Sequence, residues 1–243
     1  MKILCADIET IPSQSLPIDC IPTFQEADVK TGNIKDPAKI EDKINEARKE
    51  WHESLSKKMS LDPAFAQLCT FVGITYDTEK EEIVEEKALQ LVETDGHDDL
   101  ELVGEAWTLI QKAYHERTPL ITFNGLSFDL PVLFMRAIKQ DFPLDRAMVS
   151  RIMGRKYQDN PHHYDLMQIL AGWDRTRWHS FDFYSRLFNL GEKEDFDGSM
   201  VYPAYQANEF DKIRDYCRKE VLIMCRLFTR LEPWIKYDHK EGA

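Results

Sequence analysis

The feature that most constrains this chain is an apolar run, Lys2-Ile3-Leu4-Cys5-Ala6, that leads directly into Asp7-Ile8-Glu9-Thr10. Its length and apolar content are those of a buried strand, and residues two apart on a strand share a face, so Asp7 and Glu9 point the same way. Two ionised carboxylates held that close repel each other and lose hydration unless a cation neutralises them. The natural partner is a hard, oxygen-preferring divalent ion, Mg²⁺ or Mn²⁺. The alternative is a strand end running into solvent with two ordinary surface acids. Further acidic ligands elsewhere in the chain would separate the two readings.

At 243 residues, 43% of them hydrophobic, the chain has the material for one large domain with a sizeable core. No stretch approaches the roughly 18 to 20 unbroken apolar residues of a membrane span. Met1-Lys2-Ile3-Leu4 runs into the acidic pair rather than into the apolar region of a signal peptide, so a cytoplasmic location without membrane contact is expected. Cys5, Cys20, Cys69, Cys217 and Cys225 are odd in number, lack CxxC spacing and read as buried thiols, implying neither zinc nor a disulfide. A net charge of −12 argues against a polyanionic partner until its distribution is considered. Twelve acids and two lysines between Asp77 and Glu105 give −10, whereas nine bases and six acids between Arg136 and Arg186 give +3. An acidic back with a basic front is compatible with nucleic acid, because local potential steers a ligand; ordinary fluctuation accounts for the +3 equally well.

Ile11 to Thr31 reads as an irregular, proline-containing segment, and Asp36 to Met59 as a charged helix with a weak apolar stripe of Ile40, Ile44, Ala47, Trp51 and Leu55. This is a helical insertion after the first strand, spanning about 12–63. Its stripe suits packing on the domain surface, overhanging the site that Thr10 leads into, or a solvated arm. Gln67 to Tyr76 and Glu82 to Leu91 form a hairpin whose second member suits a sheet edge. A helix from Asp98 to His115, a short strand from Pro119 to Phe123, a turn at Asn124-Gly125 and a helix from Ser127 to Ile138 follow. Asp129 falls in the first turn of that helix, where a capping acid is the structural alternative. The segment 143–161 reads as basic and loop-rich. Beyond it come a short helix at Asp165 to Leu170, a helix ending near Gly191, and a long helix from Asn208 to Leu231. Strands give way to helices in this half. Tyr216 and Glu220, four apart, share a face of the last helix.

The order Asp-x-Glu, Asn-Gly-x-x-Phe-Asp and Tyr-x-x-x-Glu resembles the Tyr-bearing branch of the DEDD superfamily of 3′–5′ exonucleases, specifically the proofreading-domain relatives of family B DNA polymerases that occur without a polymerase. Asp7-Ile8-Glu9-Thr10 matches the first motif and Asn124 to Pro131 the second. Leu190-Gly191-Glu192-Lys193, Asp197-Gly198 and the His-Tyr-Asp-Leu segment around Asp165 are softer matches. The third motif departs, because Glu220 stands where the family has Asp. Glu220 is one methylene longer, and Asp215 is a poor substitute because it faces another side of the helix.

The resemblance implies an α/β fold, a ribonuclease H-like mixed β-sheet flanked by helices, in a single exonuclease-like domain over 1–243. It further implies two-metal hydrolysis of single-stranded DNA ends to nucleoside 5′-monophosphates. In that scheme Asp7, Glu9, Asp129 and Glu220 hold two Mg²⁺ or Mn²⁺ ions and Tyr216 positions the attacking water. Thr10 and Asn124 steady the terminal nucleotide, and Phe128 packs near or stacks on its base. Phe128 as a core residue and Asn124 as a simple turn former are the structural alternatives. Lys193 is assigned to a phosphate, or to solvent, and Asp165 to a supporting acid or helix cap. A 3′–5′ exoribonuclease, or a non-catalytic nucleic-acid-binding or partner-docking module with a weakened metal site, are the alternatives to the DNA enzyme. A DNA polymerase or repair partner is left unspecified.

Overall fold

A computed structural model describes residues 1–91, 99–154, 162–191 and 195–235. Within them the first strand, β1 (Lys2–Pro12), runs through the acidic pair instead of ending at it. Asp7 and Glu9 are therefore interior residues of a strand, and the reading of a charged end in solvent is excluded: Glu9 is only 9% exposed. β1 continues because it is zipped along its length to β2 (Ala66–Asp77), antiparallel, from Lys2 opposite Asp77 to Pro12 opposite Ala66.

β2 forms the expected hairpin with β3 (Glu82–Gln90), which lies at the sheet edge. Its outward charged side chains discourage pairing with another chain. β4 (Leu120–Thr122) runs parallel to β1 on the other side. A fifth strand, β5 (His163–Asp165), runs parallel to β4 and corrects the expectation that strands end in the first half. Three residues are too few to show a period, and β5 exists because β4 offers it a partner. The order is β3-β2-β1-β4-β5, so β1 is central.

Alternation along β1 divides the core. Leu4, Ala6 and Ile8 face one layer, built on α2 (Leu100–His115) and α3 (Asp129–Lys139), with Trp107 fully buried. Ile3 and Cys5 face the other, where α8 (Phe210–Leu231) contributes Cys217, Val221, Met224, Leu227 and Phe228. Asp7 and Glu9 continue the Ile3 and Cys5 series by the two-residue period, which aims them at α8.

The helix after β1 is α1 (Pro37–Ser60), capped by Asp36, whose carboxylate accepts from Ala38 N–H. The segment expected to be loop-rich contains α4 (Arg146–Ile152). Asp145 caps it and Met148 and Ile152, four apart, are buried, a pattern shorter than the window in which periodicity is visible. α5 (Leu166–Leu170) and α6 (Phe181–Leu187) fall where expected, whereas α7 (Val201–Gln206) was not anticipated. The expected start of α2 at Asp98, and the Arg155 and Lys156 part of the basic segment, lie outside the described residues. Two other expectations change. Cys20 is exposed, while Cys5, Cys69, Cys217 and Cys225 are buried, and all are free thiols. Arg136 does not belong to a basic front: it is buried against Asp99, donating from Nε at 3.1 Å. Among the described residues no helix is long and apolar enough to cross a membrane.

Candidate active site

A register shift between Glu9 and Thr10 marks the middle of the site, with Cys69 of β2 as the extra residue of a bulge. Bulges kink a strand and re-aim its side chains, and this one lies where β1 leaves the carboxylates and meets α1. The Thr10 hydroxyl donates to the Ser60 carbonyl at 2.7 Å, fixing the end of α1 beside Glu9. Thr10 is thus a tether between strand and helix.

Asp129 arrives from the opposite direction. β4 ends in a turn where Asn124 has φ +65°, a left-handed conformation that Asn tolerates well, as the turn reading of this residue requires. Gly125 follows because a Cβ there would stand 2.2 Å from Thr122 Oγ1. Asp165 holds the turn from below: its carboxylate accepts from Asn124 N–H and Leu126 N–H, each at 3.0 Å. The same carboxylate caps α5, accepting from Met167 and Gln168 N–H. Both assignments of Asp165, support and cap, therefore describe one side chain. Asn124 Oδ1 is buried without a hydrogen-bond partner among the described residues.

α8 supplies the third side. Tyr216 Oη donates to Glu220 Oε1 at 2.8 Å. Asp215 points away, exposed and near Arg214 at 3.9 Å, so it is no substitute for Glu220. One turn of α8 also brings Cys217 to the site, where its thiol donates to Asp7 Oδ2 at 3.6 Å. Ligand atoms of Asp7, Glu9 and Cys217 lie within 4.8 Å of one another. The sequence reading placed Cys217 only among buried thiols; its position next to Tyr216, toward the core on the same helix, was the available signal.

The electrostatics report how closely these groups gather. Burial first, then the charges of Asp129, Glu220 and Glu9, push the Asp7 carboxyl well above its ordinary value, and Asp7 and Asp129 share a hydrogen bond. Glu9 is raised by burial, then by Glu220 and Asp129. Asp129 is pushed up to about 7, chiefly by burial, against the opposing hydrogen bonds from its own N–H, from Asp7 and from Ile8 N–H. Burial and the charges of Glu220, Glu9 and Asp7 raise Tyr216, which keeps its proton. Cys217 is likewise raised by burial and the surrounding acids and stays a thiol.

Four gathered carboxylates, three of which (Asp7, Glu9 and Asp129) are raised by burial and by their neighbours' charges, are a donor set that a hard divalent cation fits, since it offers the neutralisation otherwise supplied by protons. The protonated thiol is not a soft-metal ligand. Asp7, Glu9, Asp129 and Glu220 are thus brought together with Tyr216, and Thr10 and Phe128 flank them on a groove of about 530 Å³. Phe128 is half-buried and also packs on the α2–α3 core, so its two readings coexist. Lys193 lies outside the described residues.

A family model described as "Predicted 3'-5' exonuclease related to the exonuclease domain of PolB" matches residues 64–234. The matched segment includes Asp129, Tyr216 and Glu220; β1 and α1 precede it. A solved family B DNA polymerase from the hyperthermophilic archaeon Pyrobaculum calidifontis is similar in fold, with a TM-score of 0.57 at 16% identity. The similarity covers 96% of this chain and 25% of the polymerase chain, so the chain spans about a quarter of that protein's length. No curated protein matches the chain. The architecture is the ribonuclease H-like mixed sheet flanked by helices that the motifs implied.

Proposed function

This chain belongs to the family of predicted 3′–5′ exonucleases related to the exonuclease domain of PolB, and from that premise we propose that it hydrolyses single-stranded DNA from the 3′ end, releasing nucleoside 5′-monophosphates. The whole of 1–243 acts as one exonuclease-like domain, with about 12–63 as an insertion. The observation that supports this reading is the gathering of carboxylates from three distant parts of the chain, Asp7 and Glu9 on β1, Asp129 on α3 and Glu220 on α8, each raising the proton affinity of Asp7.

Asp7, Glu9, Asp129 and Glu220 would hold two Mg²⁺ or Mn²⁺ ions, which when bound supply acidity to a water and stabilise charge on the departing oxygen. In the reaction a water oxygen bonds to the terminal phosphorus, the bond from phosphorus to the 3′ oxygen breaks, and that oxygen leaves with a proton. Tyr216, held protonated and donating to Glu220, is suited to orienting the water and the carboxylate rather than to removing a proton. Phe128 offers a face to the terminal base. Thr10 acts through α1, because its hydroxyl already serves Ser60. Asn124 shapes the turn that delivers Asp129.

The test compares end-labelled DNA and RNA oligonucleotides with the wild type, Asp7→Ala and Glu220→Asp, in Mg²⁺, in Mn²⁺ and in chelator. Release of mononucleotides from the 3′ end of DNA by the wild type alone supports the reading. Equal or faster digestion of RNA would reassign the substrate, and wild type as inert as Asp7→Ala in every metal would reassign the chain to a non-catalytic module.

A further inference from the structure

Helix α1 is a poor core element. Over 24 residues it buries only Met59. Its anchorage is nevertheless specific, since Thr10 grips its last turn, and Ser13 N–H donates to the Phe65 carbonyl just beyond. This holds the C-terminal turn of α1 at a groove lined also by Glu9, by Phe128, by Asp197 and Ser199, and by Tyr202 of α7. The groove holds about 530 Å³, within the range for a single small ligand.

Two side chains at the C-terminal end of α1, one of them its capping residue, line it in a way that core packing does not account for. Leu61, at the helix end, is a large apolar residue left 59% exposed. Lys57, one turn earlier, is the sole cation lining the groove among the described residues, against the acids Glu9, Glu53 and Asp197. Glu53 is engaged by Lys49 rather than by Lys57. After the hydrogen bonds from Ser199, the Lys57 charge helps to hold Asp197 below its ordinary value, and both side chains line the groove.

Resting on the exonuclease reading, we propose that Lys57 of α1 and Leu61, which caps its C-terminal end, are substrate-positioning residues, Leu61 and Phe128 bracketing the 3′-terminal base while Lys57 meets a phosphate of the same strand. Neither residue lies in the segment that the family model matches, residues 64–234, so these contacts would come from α1 and the residue that ends it.

Lys57 is exposed and Leu61 mostly so, and their replacement leaves the core intact. Steady-state kinetics on a single-stranded oligonucleotide, with Lys57→Ala, Lys57→Arg, Leu61→Ala and wild type, test the proposal. Expected are a KM raised about tenfold by Lys57→Ala and about threefold by Leu61→Ala with kcat within twofold, and recovery by Lys57→Arg. The slope of log affinity against log salt should fall by about 0.7 for Lys57→Ala, the value for one lost contact to a single strand. An active wild type whose KM and salt slope are unchanged in both alanine variants overturns the role of α1 and leaves the exonuclease reading standing. A wild type without activity in any metal overturns both.

Discussion

The Tyr216 hydroxyl donates a 2.8 Å hydrogen bond to Glu220 Oε1, and the acids around it keep that hydroxyl protonated. A partner that orients a ligating carboxylate is worth about 10- to 100-fold in activity or metal affinity. Tyr216→Phe is therefore expected to lower kcat within that range. Because no tyrosinate forms, its pH–rate profile should keep the wild-type shape; loss of a rise in rate with increasing pH that the wild type shows would identify Tyr216 as a base.

Glu220 reaches far enough to raise both Asp7 and Glu9 while accepting from Tyr216. Its extra methylene is built into that reach. Glu220→Asp withdraws the carboxylate from its partners, and a kcat at least tenfold below wild type is expected in Mg²⁺. Gain of activity by this variant would mark the natural site as weakened.

Relief of repulsion gives a prediction that needs no substrate. Divalent metal at about 100 times its Kd stabilises a protein by about 2.7 kcal/mol, or some 5–10 °C in a chain of this size. Melting by scanning calorimetry should show that rise for wild type with Mn²⁺. Asp7→Asn should melt higher than wild type in chelator, having replaced a buried carboxyl that must either repel its neighbours or take up a proton, and respond little to Mn²⁺. Equal responses of the two proteins would count against Asp7 as a ligand.

The site was legible where chemistry is carried by residue type and spacing. Two acids two apart on an apolar run, and Tyr216 four before Glu220, state their geometry locally. What was not legible is set by partners distant in sequence. β5 needs β4 beside it, α7 packs with Ile11 and Ile213, and Arg136 is neutralised by Asp99, 37 residues away. Charge counted along the chain assigned those two residues to opposite faces, yet they meet in the interior.

His163 offers a pH prediction. Its Nδ1 donates to the Ile152 carbonyl, since a carbonyl can only accept, and Nε2 lies 2.8 Å from Thr122 Oγ1. Burial lowers its pKa to about 4, whereas the unfolded chain titrates near 6.5. Between those values the unfolded state binds the extra proton, so this residue's contribution is full above about pH 7 and declines as pH falls toward 4, by about 2 kcal/mol at pH 5. The raised acids of the site act in the opposite sense, gaining stability as they protonate. The contribution is therefore read as a difference: the stability advantage of wild type over His163→Gln in urea unfolding should shrink by about 2 kcal/mol from pH 7.5 to 5. A constant difference would mean that His163 titrates in the fold as it does in the unfolded chain.

Asp165 couples stability to the site through backbone alone. Its two oxygens accept from four N–H groups, those of Asn124, Leu126, Met167 and Gln168, and thereby tie the turn that delivers Asp129 to the start of α5. Alanine removes a helix cap worth about 1 kcal/mol and strands buried donors at about 1–3 kcal/mol each. Asp165→Ala should lose at least about 3 kcal/mol in urea unfolding. Because the turn then relaxes, its Mn²⁺ affinity at a temperature where it remains folded should fall about tenfold, although Asp165 is no ligand. Asp165→Asn keeps one acceptor oxygen but turns an NH₂ group toward backbone donors, so it should fall between alanine and wild type in both measurements. Stability lost with metal affinity unchanged would show that Asp129 is positioned by α3 and not by the turn before it.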